Sequence, residues 1–180
     1  MSWSRIARRI RVPLGFALAA LYLWLAQPTW GSILAGGVIA FGGLLLRAVA
    51  SGHISKDSEL TTSGPYACTR NPLYLGSLVL AVGFAVAGRS WWVLLAIVVL
   101  FTAIYIPVIR SEEAFLRTRF PEFDAYAEGV PRLLPRLRKS RSAPGSFSRE
   151  RYLRHREYNA LLGTAAMIGA LAAKLRWISR

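Results

Sequence analysis

Two short stretches hold most of the side chains that could do chemistry. The first is Gly64-Pro65-Tyr66-Ala67-Cys68-Thr69-Arg70-Asn71-Pro72-Leu73-Tyr74-Leu75-Gly76. It sets an arginine and an amide between two tyrosines, just ahead of an apolar run. Asn is a good helix N-cap and Pro suits the first helical position, so Asn71-Pro72 reads as a helix start and Gly64-Pro65 as a turn. Capping leaves Arg70 and the tyrosines unexplained. A helix N-terminus bearing Arg and Asn is also a ready anion site, and spacing alone leaves both readings open. The second stretch is Arg110-Ser111-Glu112-Glu113, in a chain with nine acidic residues against 23 lysines and arginines. Adjacent carboxylates at the edge of an apolar run cost repulsion and desolvation. One account is a helix restart in which Ser111 caps and both acids favour the positive end. The other is a ligand, since paired carboxylates bind ribose hydroxyls or an ammonium group.

A third stretch, Phe120-Pro121-Glu122-Phe123-Asp124-Ala125-Tyr126 followed by Val130-Pro131-Arg132-Leu133-Leu134-Pro135, reads as an amphipathic surface segment with proline stops. Phe115, Leu116, Phe120, Phe123 and Tyr126 recur in it at roughly helical spacing, broken at Pro121. His53, in Ser51-Gly52-His53-Ile54, is a loop histidine that is solvated by default and otherwise the one candidate base near the first stretch. His155, flanked by Arg154 and Arg156, reads as interfacial. No zinc spacing, phosphate-binding loop, dinucleotide glycine fingerprint or nucleophile elbow is present, so no metal site is expected. The single cysteine, Cys68, rules out a disulfide framework.

The elements that must position these groups are apolar helices. Of 180 residues 54% are apolar, and the mean hydropathy is +0.37. The apolar residues gather into blocks at 12–27, 30–50, 73–88 and 91–109, with a shorter, Ala- and Gly-rich block at 158–173. A helical span needs about 20 such residues to cross a ~30 Å hydrocarbon layer, and isolated strands cannot satisfy their backbone there. The expected fold is therefore an all-α polytopic membrane protein with four transmembrane helices, a fifth C-terminal helix and a cytosolic amphipathic segment. The fifth block reaches only about 24 Å at ~1.5 Å per residue, so it either spans with help from snorkelling cations or lies at the interface. The expected divisions are a membrane domain at 1–135, a basic linker and interfacial segment at 136–157, and the C-terminal helix at 158–180. Within the linker, residues 140–147 read as a flexible connection.

The net charge of +14 is distributed as a membrane protein's would be, not a nucleic-acid binder's. Arg5, Arg8, Arg9 and Arg11 precede the first block, and Arg47, Lys56 and Arg70 surround the connection between the second and third. Arg89 alone lies between the third and fourth, and a long basic stretch follows from Arg110 to Arg156. An excess of cations on one side orients the chain with its N-terminus and all of these segments cytoplasmic. The expected setting is a bacterial inner membrane, with the bilayer and its anionic lipids as partner. Trp24, Trp30, Trp91 and Trp92 then form an aromatic belt at the outer interface. The basic start followed by an apolar run imitates a secretory signal, but no small-x-small site ends the run, so a retained helix is expected.

Taken in order, these segments resemble the isoprenylcysteine carboxyl methyltransferase family of membrane methyltransferases and its phospholipid methyltransferase relatives. The matching pieces are Gly64-Pro65-Tyr66, Arg70-Asn71-Pro72-Leu73-Tyr74-Leu75-Gly76, Glu112-Glu113, and the tail from Phe120 through Tyr126 and Val130-Pro131-Arg132 to Pro135, within residues 52–135. The resemblance implies S-adenosylmethionine as methyl donor, held between the adjacent spans and the cytosolic tail. It implies cofactor contacts at Tyr66, Asn71, Pro72, Tyr74, Gly76, Glu112, Glu113 and Tyr126, with Arg70 and Arg110 as candidates for the cofactor carboxylate or an anionic substrate. Tyr66 and Tyr74 would face the sulfonium, a cation–π contact of about 0.5–2 kcal/mol. Asn71 stands where the family has a histidine, so hydrogen bonding is kept and any role as base or cation is lost. The implied activity is methyl transfer to a lipid-like or prenyl-type acceptor at the cytoplasmic face, with Arg70, Arg110 and His53 as catalytic candidates. Two alternatives are an NADPH-dependent membrane reductase of sterol-reductase-like architecture and a non-catalytic lipid-binding protein.

Overall fold

A computed structural model describes residues 16–54, 59–136 and 146–178. Every regular element among them is helical. In chain order these are α1 (Phe16–Leu25), α2 (Trp30–His53), a 3-10 turn (Gly64–Ala67), α3 (Pro72–Gly88), α4 (Trp91–Arg119), α5 (Phe123–Gly129), α6 (Arg149–Arg154) and α7 (Tyr158–Ile178). Three of them, α2, α4 and α7, are long and apolar enough to cross a membrane, and α1 and α3 are shorter apolar helices. Each of the five apolar blocks of the sequence thus contains a helix among its described residues. Positions 12–15, the N-terminal arginines, Lys56 and residues 137–145 lie outside the described residues.

The scaffold is the α2–α3 pair. Thr29 and Ser32 cap α2 reciprocally, Ser32 N–H to Thr29 Oγ1 at 3.2 Å and Thr29 N–H to Ser32 Oγ at 2.9 Å. Small residues then let the two backbones touch: a Cβ on Gly36 would lie 2.4 Å from the Gly83 carbonyl, and one on Gly43 would lie 2.7 Å from that of Gly76. Apolar side chains gain little by leaving lipid for protein, so close backbone approach is what makes such a pair stable. Gly76 belongs to this contact. A Cβ there would meet Arg47 Cγ at 2.7 Å and the Gly43 carbonyl at 2.9 Å.

Helix α4 is continuous for 29 residues. At ~1.5 Å per residue it is about 43 Å long, against ~30 Å of hydrocarbon, so its last turns project beyond the apolar layer. The restart at Ser111, one of the two readings of this stretch, does not occur. The irregularity lies earlier, where Phe101–Tyr105 forms a π-helical turn and the Ile106 N–H reaches the Phe101 carbonyl. Pro107 follows directly, and a widened turn is one way a helix absorbs a proline that can neither donate nor tolerate the carbonyl behind it. Pro121 then separates α4 from α5, as its position suggested.

The fifth block is longer than its apolar stretch. It continues past Lys174 to Ile178, which gives 21 residues and about 31 Å. Lys174 does not end the helix because its ammonium caps α1, donating to the carbonyls of Leu23 (2.6 Å), Trp24 (3.0 Å) and Ala26 (2.7 Å). Leu171 is fully buried beside Tyr22, Ala26, Ile33 and Ala87. At its other end, Glu157 pairs with Arg47 of α2 at 2.8 Å.

Candidate functional site

The loop ahead of α3, the last turns of α4, and α5 close around one cavity, and the tail after α5 packs behind the loop. The tail is laid against the loop by backbone and side-chain bonds. Arg70 N–H donates to the Pro131 carbonyl (2.9 Å), Arg136 N–H to that of Cys68 (3.0 Å), and Thr69 Oγ1 to that of Leu133 (3.0 Å). Asn71 takes part in this docking and does not cap. It occupies the N-cap position of α3, yet its side chain makes no capping bond. Its Nδ2 donates instead to the Arg132 carbonyl at 2.9 Å and to Glu113 Oε1 at 3.4 Å. Pro72, with no N–H to satisfy, suits a helix start whose cap is otherwise engaged.

The adjacent acids have different partners, because neighbours on a helix diverge by roughly 100°. Glu113 is 4% exposed and ties three segments together, α4, the loop ahead of α3 and the tail. It accepts from Arg132 Nε at 3.0 Å and Nη2 at 2.9 Å, from Asn71, and faces Arg70 Nη1 at 3.5 Å. Glu112 is exposed and accepts from the Tyr74 hydroxyl at 2.9 Å. Tyr74 stands edge-on to Tyr105 of the π turn, with ring centroids 5.5 Å apart. Across the cavity Phe123 is buried against Tyr126, whose hydroxyl donates to the Tyr66 carbonyl at 2.7 Å.

The cavity has a volume of about 330 Å³. Tyr66, Arg70, Asn71, Pro72, Tyr74, Glu112, Glu113 and Tyr126 all line it, together with Glu59, Phe115, Leu116 and Phe120. Three candidates lie elsewhere. Gly76 is a packing residue between α2 and α3. Arg110 is exposed on α4 and does not line the cavity. His53 also lies off the lining, its Nδ1 at 2.8 Å from the Val49 carbonyl one helical turn back. Arg132, which holds Glu113, is the main contributor that residue types did not single out; its place in the tail motif was the available signal.

Two buried polar atoms on the wall carry further information. Among the described residues the Tyr66 hydroxyl and Arg70 Nε have no hydrogen-bond partner. A buried donor left unsatisfied costs roughly 1–3 kcal/mol, so two on one cavity wall call for an explanation. Burial, then the neighbouring Tyr126 and Glu112, pushes the Tyr66 phenol above its ordinary pKa. Burial likewise raises Tyr126, with Arg70 pulling it partly back. Both phenols therefore stay neutral donors at working pH. Among the described residues Arg70 is the one basic side chain lining the cavity. No cluster of three or more His, Cys, Asp or Glu side chains that could hold a metal occurs among the described residues.

Residues 11–122 match the phospholipid methyltransferase family. The chain is similar to the nickel-cobalt-cadmium resistance protein NccN of Alcaligenes xylosoxydans xylosoxydans, 40% identical over 100 residues, which cover 52% of this chain and 47% of that protein. It is also similar to the cobalt-zinc-cadmium resistance protein CzcN of Cupriavidus metallidurans, 35% identical over 136 residues, or 71% of this chain and 62% of the relative. The chain thus spans about half to three fifths of the length of these relatives. No solved structure matches.

Proposed function

The chain belongs to the phospholipid methyltransferase family, and on that premise we propose that it is an S-adenosylmethionine-dependent methyltransferase acting on a lipid-like acceptor at the cytoplasmic membrane face. The observation that carries this reading is the cavity wall itself, where two unsatisfied buried donors, an exposed carboxylate and a tyrosine-rich lining converge. These groups fit the cofactor's parts. Tyr66 O–H and Arg70 Nε–H would take its carboxylate, Glu112 its ribose hydroxyls or ammonium, and Tyr66 and Tyr74 the cationic centre. When bound, S-adenosylmethionine supplies a methyl carbon already activated toward any well-placed nucleophile.

The chain's own contribution is placement. Holding two reactants in register can supply up to about 7–11 kcal/mol of a barrier. The Glu113–Arg132 latch and the Asn71 amide fix the tail over the loop, and Phe115, Leu116, Phe120 and Phe123 give the cavity apolar walls. Among the described residues lining the cavity proton acceptors are few: Tyr66 and Tyr126 are held neutral, His53 lies off the lining, and Glu59 and Glu112 are the carboxylates not committed to a latch. This favours an acceptor whose nucleophile is free at neutral pH, such as a carboxylate. The basic segments favour the cytoplasmic side for this end of the molecule. The relatives are named as metal resistance proteins, and no metal chemistry is assigned to the chain.

The test uses Tyr66→Phe. Removing an unsatisfied hydroxyl should leave the ligand-free protein as stable or slightly more so. Affinity for S-adenosylhomocysteine should fall about tenfold, a loss of about 1.4 kcal/mol. Affinity for 5′-methylthioadenosine, which lacks the amino-acid part, should be unchanged. Equal losses for both ligands, or no loss for either, would refute the assignment of Tyr66 to the carboxylate.

A further inference from the structure

The segment from Ser146 to Glu157 lies beyond the family match, yet it is fastened to the elements that frame the cavity. Ser148 N–H and Arg151 Nε both donate to the Gly52 carbonyl at 2.9 Å, and His155 Nδ1 lies 3.2 Å from the Ser51 carbonyl. Phe147, half exposed, covers Gly52 so closely that a Cβ there would sit 2.2 Å from its ring. Its ring meets that of His53 edge-on, with centroids 6.2 Å apart. The far edge of His53 rests on Gly64, where a Cβ would be 2.6 Å from the imidazole Cδ2. Gly64 has φ +59°, a left-handed conformation suited to glycine, and it opens the turn that carries Tyr66. Contact therefore runs from Phe147 through His53 and Gly64 to the turn holding Tyr66.

The same segment braces the other end of the loop. Glu157 holds Arg47 through both oxygens, Nη2 to Oε1 at 2.9 Å and Nε to Oε2 at 3.0 Å. Arg47 in turn donates to Ser77 Oγ and to the Leu73 carbonyl, in the first turns of α3. The loop between Gly64 and Leu73, which contains Tyr66, Arg70 and Asn71, is thus fixed at its entry by Phe147 and at its exit by Glu157. Both chains of contact pass through residues whose geometry leaves no room for substitution by bulk: Gly52, Gly64 and Gly76.

We propose that residues 146–157 form a strap that positions the cavity loop, with His53 serving as its wedge and not as a base. The claim about cofactor affinity rests on the function proposed above, whereas the claim about loop order does not. The chain's only cysteine, Cys68, lies in this loop and is half-buried, so its thiol reports loop order whether or not a cofactor binds. The experiment is thiol labelling of the full chain in detergent, for wild type, Phe147→Ala and Gly52→Ala. The first variant removes the ring and the second displaces it, so a folding defect peculiar to one does not decide the result. Both should label roughly tenfold faster than wild type at unchanged bulk helicity, as expected for a local opening and not global unfolding. Leu153→Ala, on an exposed position of α6, should label at the wild-type rate. Unchanged labelling in both strap variants overturns the proposal. Both variants should also bind S-adenosylhomocysteine several-fold more weakly; faster labelling with undiminished affinity would overturn the link to the site. If wild type binds no such ligand, the proposed function fails, and the labelling result alone decides the strap.

Discussion

Replacing each of the adjacent acids by its amide should give opposite phenotypes. Glu113 is 4% exposed and faces Arg132, Arg70 and Asn71. Removing one partner of a buried ion pair costs about 3–5 kcal/mol, because the other charge is left buried. Here Arg132 is 48% exposed and can rehydrate, whereas Arg70 at 13% cannot do so readily. The loss for Glu113→Gln should therefore fall at the lower end, about 3 kcal/mol, which is a large share of the roughly 5–15 kcal/mol that holds a typical domain. For a chain of this size that is a drop of about 6–12 °C in melting temperature. Ligand affinity should fall with it, since the latch also sets Asn71 and Arg70. Glu112→Gln should behave differently. Glu112 is exposed and accepts one hydrogen bond, from Tyr74, that an amide oxygen can also accept. Stability should change by less than about 0.5 kcal/mol, while S-adenosylhomocysteine affinity falls about tenfold through loss of the charge. Thermal unfolding in detergent, with and without S-adenosylhomocysteine, reads both quantities. If the two amides lowered the ligand-free melting temperature alike, the division of the pair into a latch and a ligand contact would be wrong.

Three further outcomes follow from the packing and the phenols. Gly83→Ala forces a Cβ to within 2.6 Å of the Ala40 backbone N and should destabilise by about 1–3 kcal/mol, whereas Gly37→Ala meets nothing within 4 Å and should be neutral or stabilising by up to ~1 kcal/mol through helix propensity; paired denaturation curves decide. Tyr66 and Tyr126 have raised pKa values in the folded chain, so their contribution to stability is complete below the ordinary phenol value of about 10 and is lost as pH rises above it, at up to ~1.4 kcal/mol per pH unit for each. Tyr66→Phe should flatten that alkaline limb in a pH series of melting temperatures, and an unchanged limb would contradict the burial argument. Lys174→Met should cost about 1–2 kcal/mol, because three carbonyls at the end of α1 lose their donor, and Arg in its place should recover part of the loss; a silent Lys174→Met would show that α1 does not depend on α7.

The helices were legible because apolar blocks and turn residues announce them, and the site was legible as two neighbourhoods, Tyr66–Tyr74 and Glu112–Glu113. What residue types do not carry is which side chains face each other. Asn71 looked like a cap because a cap is local, whereas its actual partner, Arg132, is about sixty positions away. Glu113 and Glu112 looked equivalent because continuity of α4 through Ser111, after a π turn, decides which one is buried. Gly76 looked like a site glycine because the loop motif and the α2–α3 crossing overlap there. Lys174 hid the true end of α7, since a charge after an apolar run reads as a stop unless its acceptors on another helix are known. Phe147 sat at the end of a stretch composed like a linker, and only its contact with Gly52 and His53 shows it to be anchored.

The central claim, that the cavity serves methyl transfer, is met most directly by incubating membranes containing the full chain with S-adenosylmethionine labelled on its methyl group. The account predicts label in a membrane-extractable acceptor with wild type, and loss of most of that label with Glu113→Gln and Tyr66→Phe at matched protein levels. Membranes in which wild type transfers no label, or in which both variants transfer as much as wild type, would contradict it.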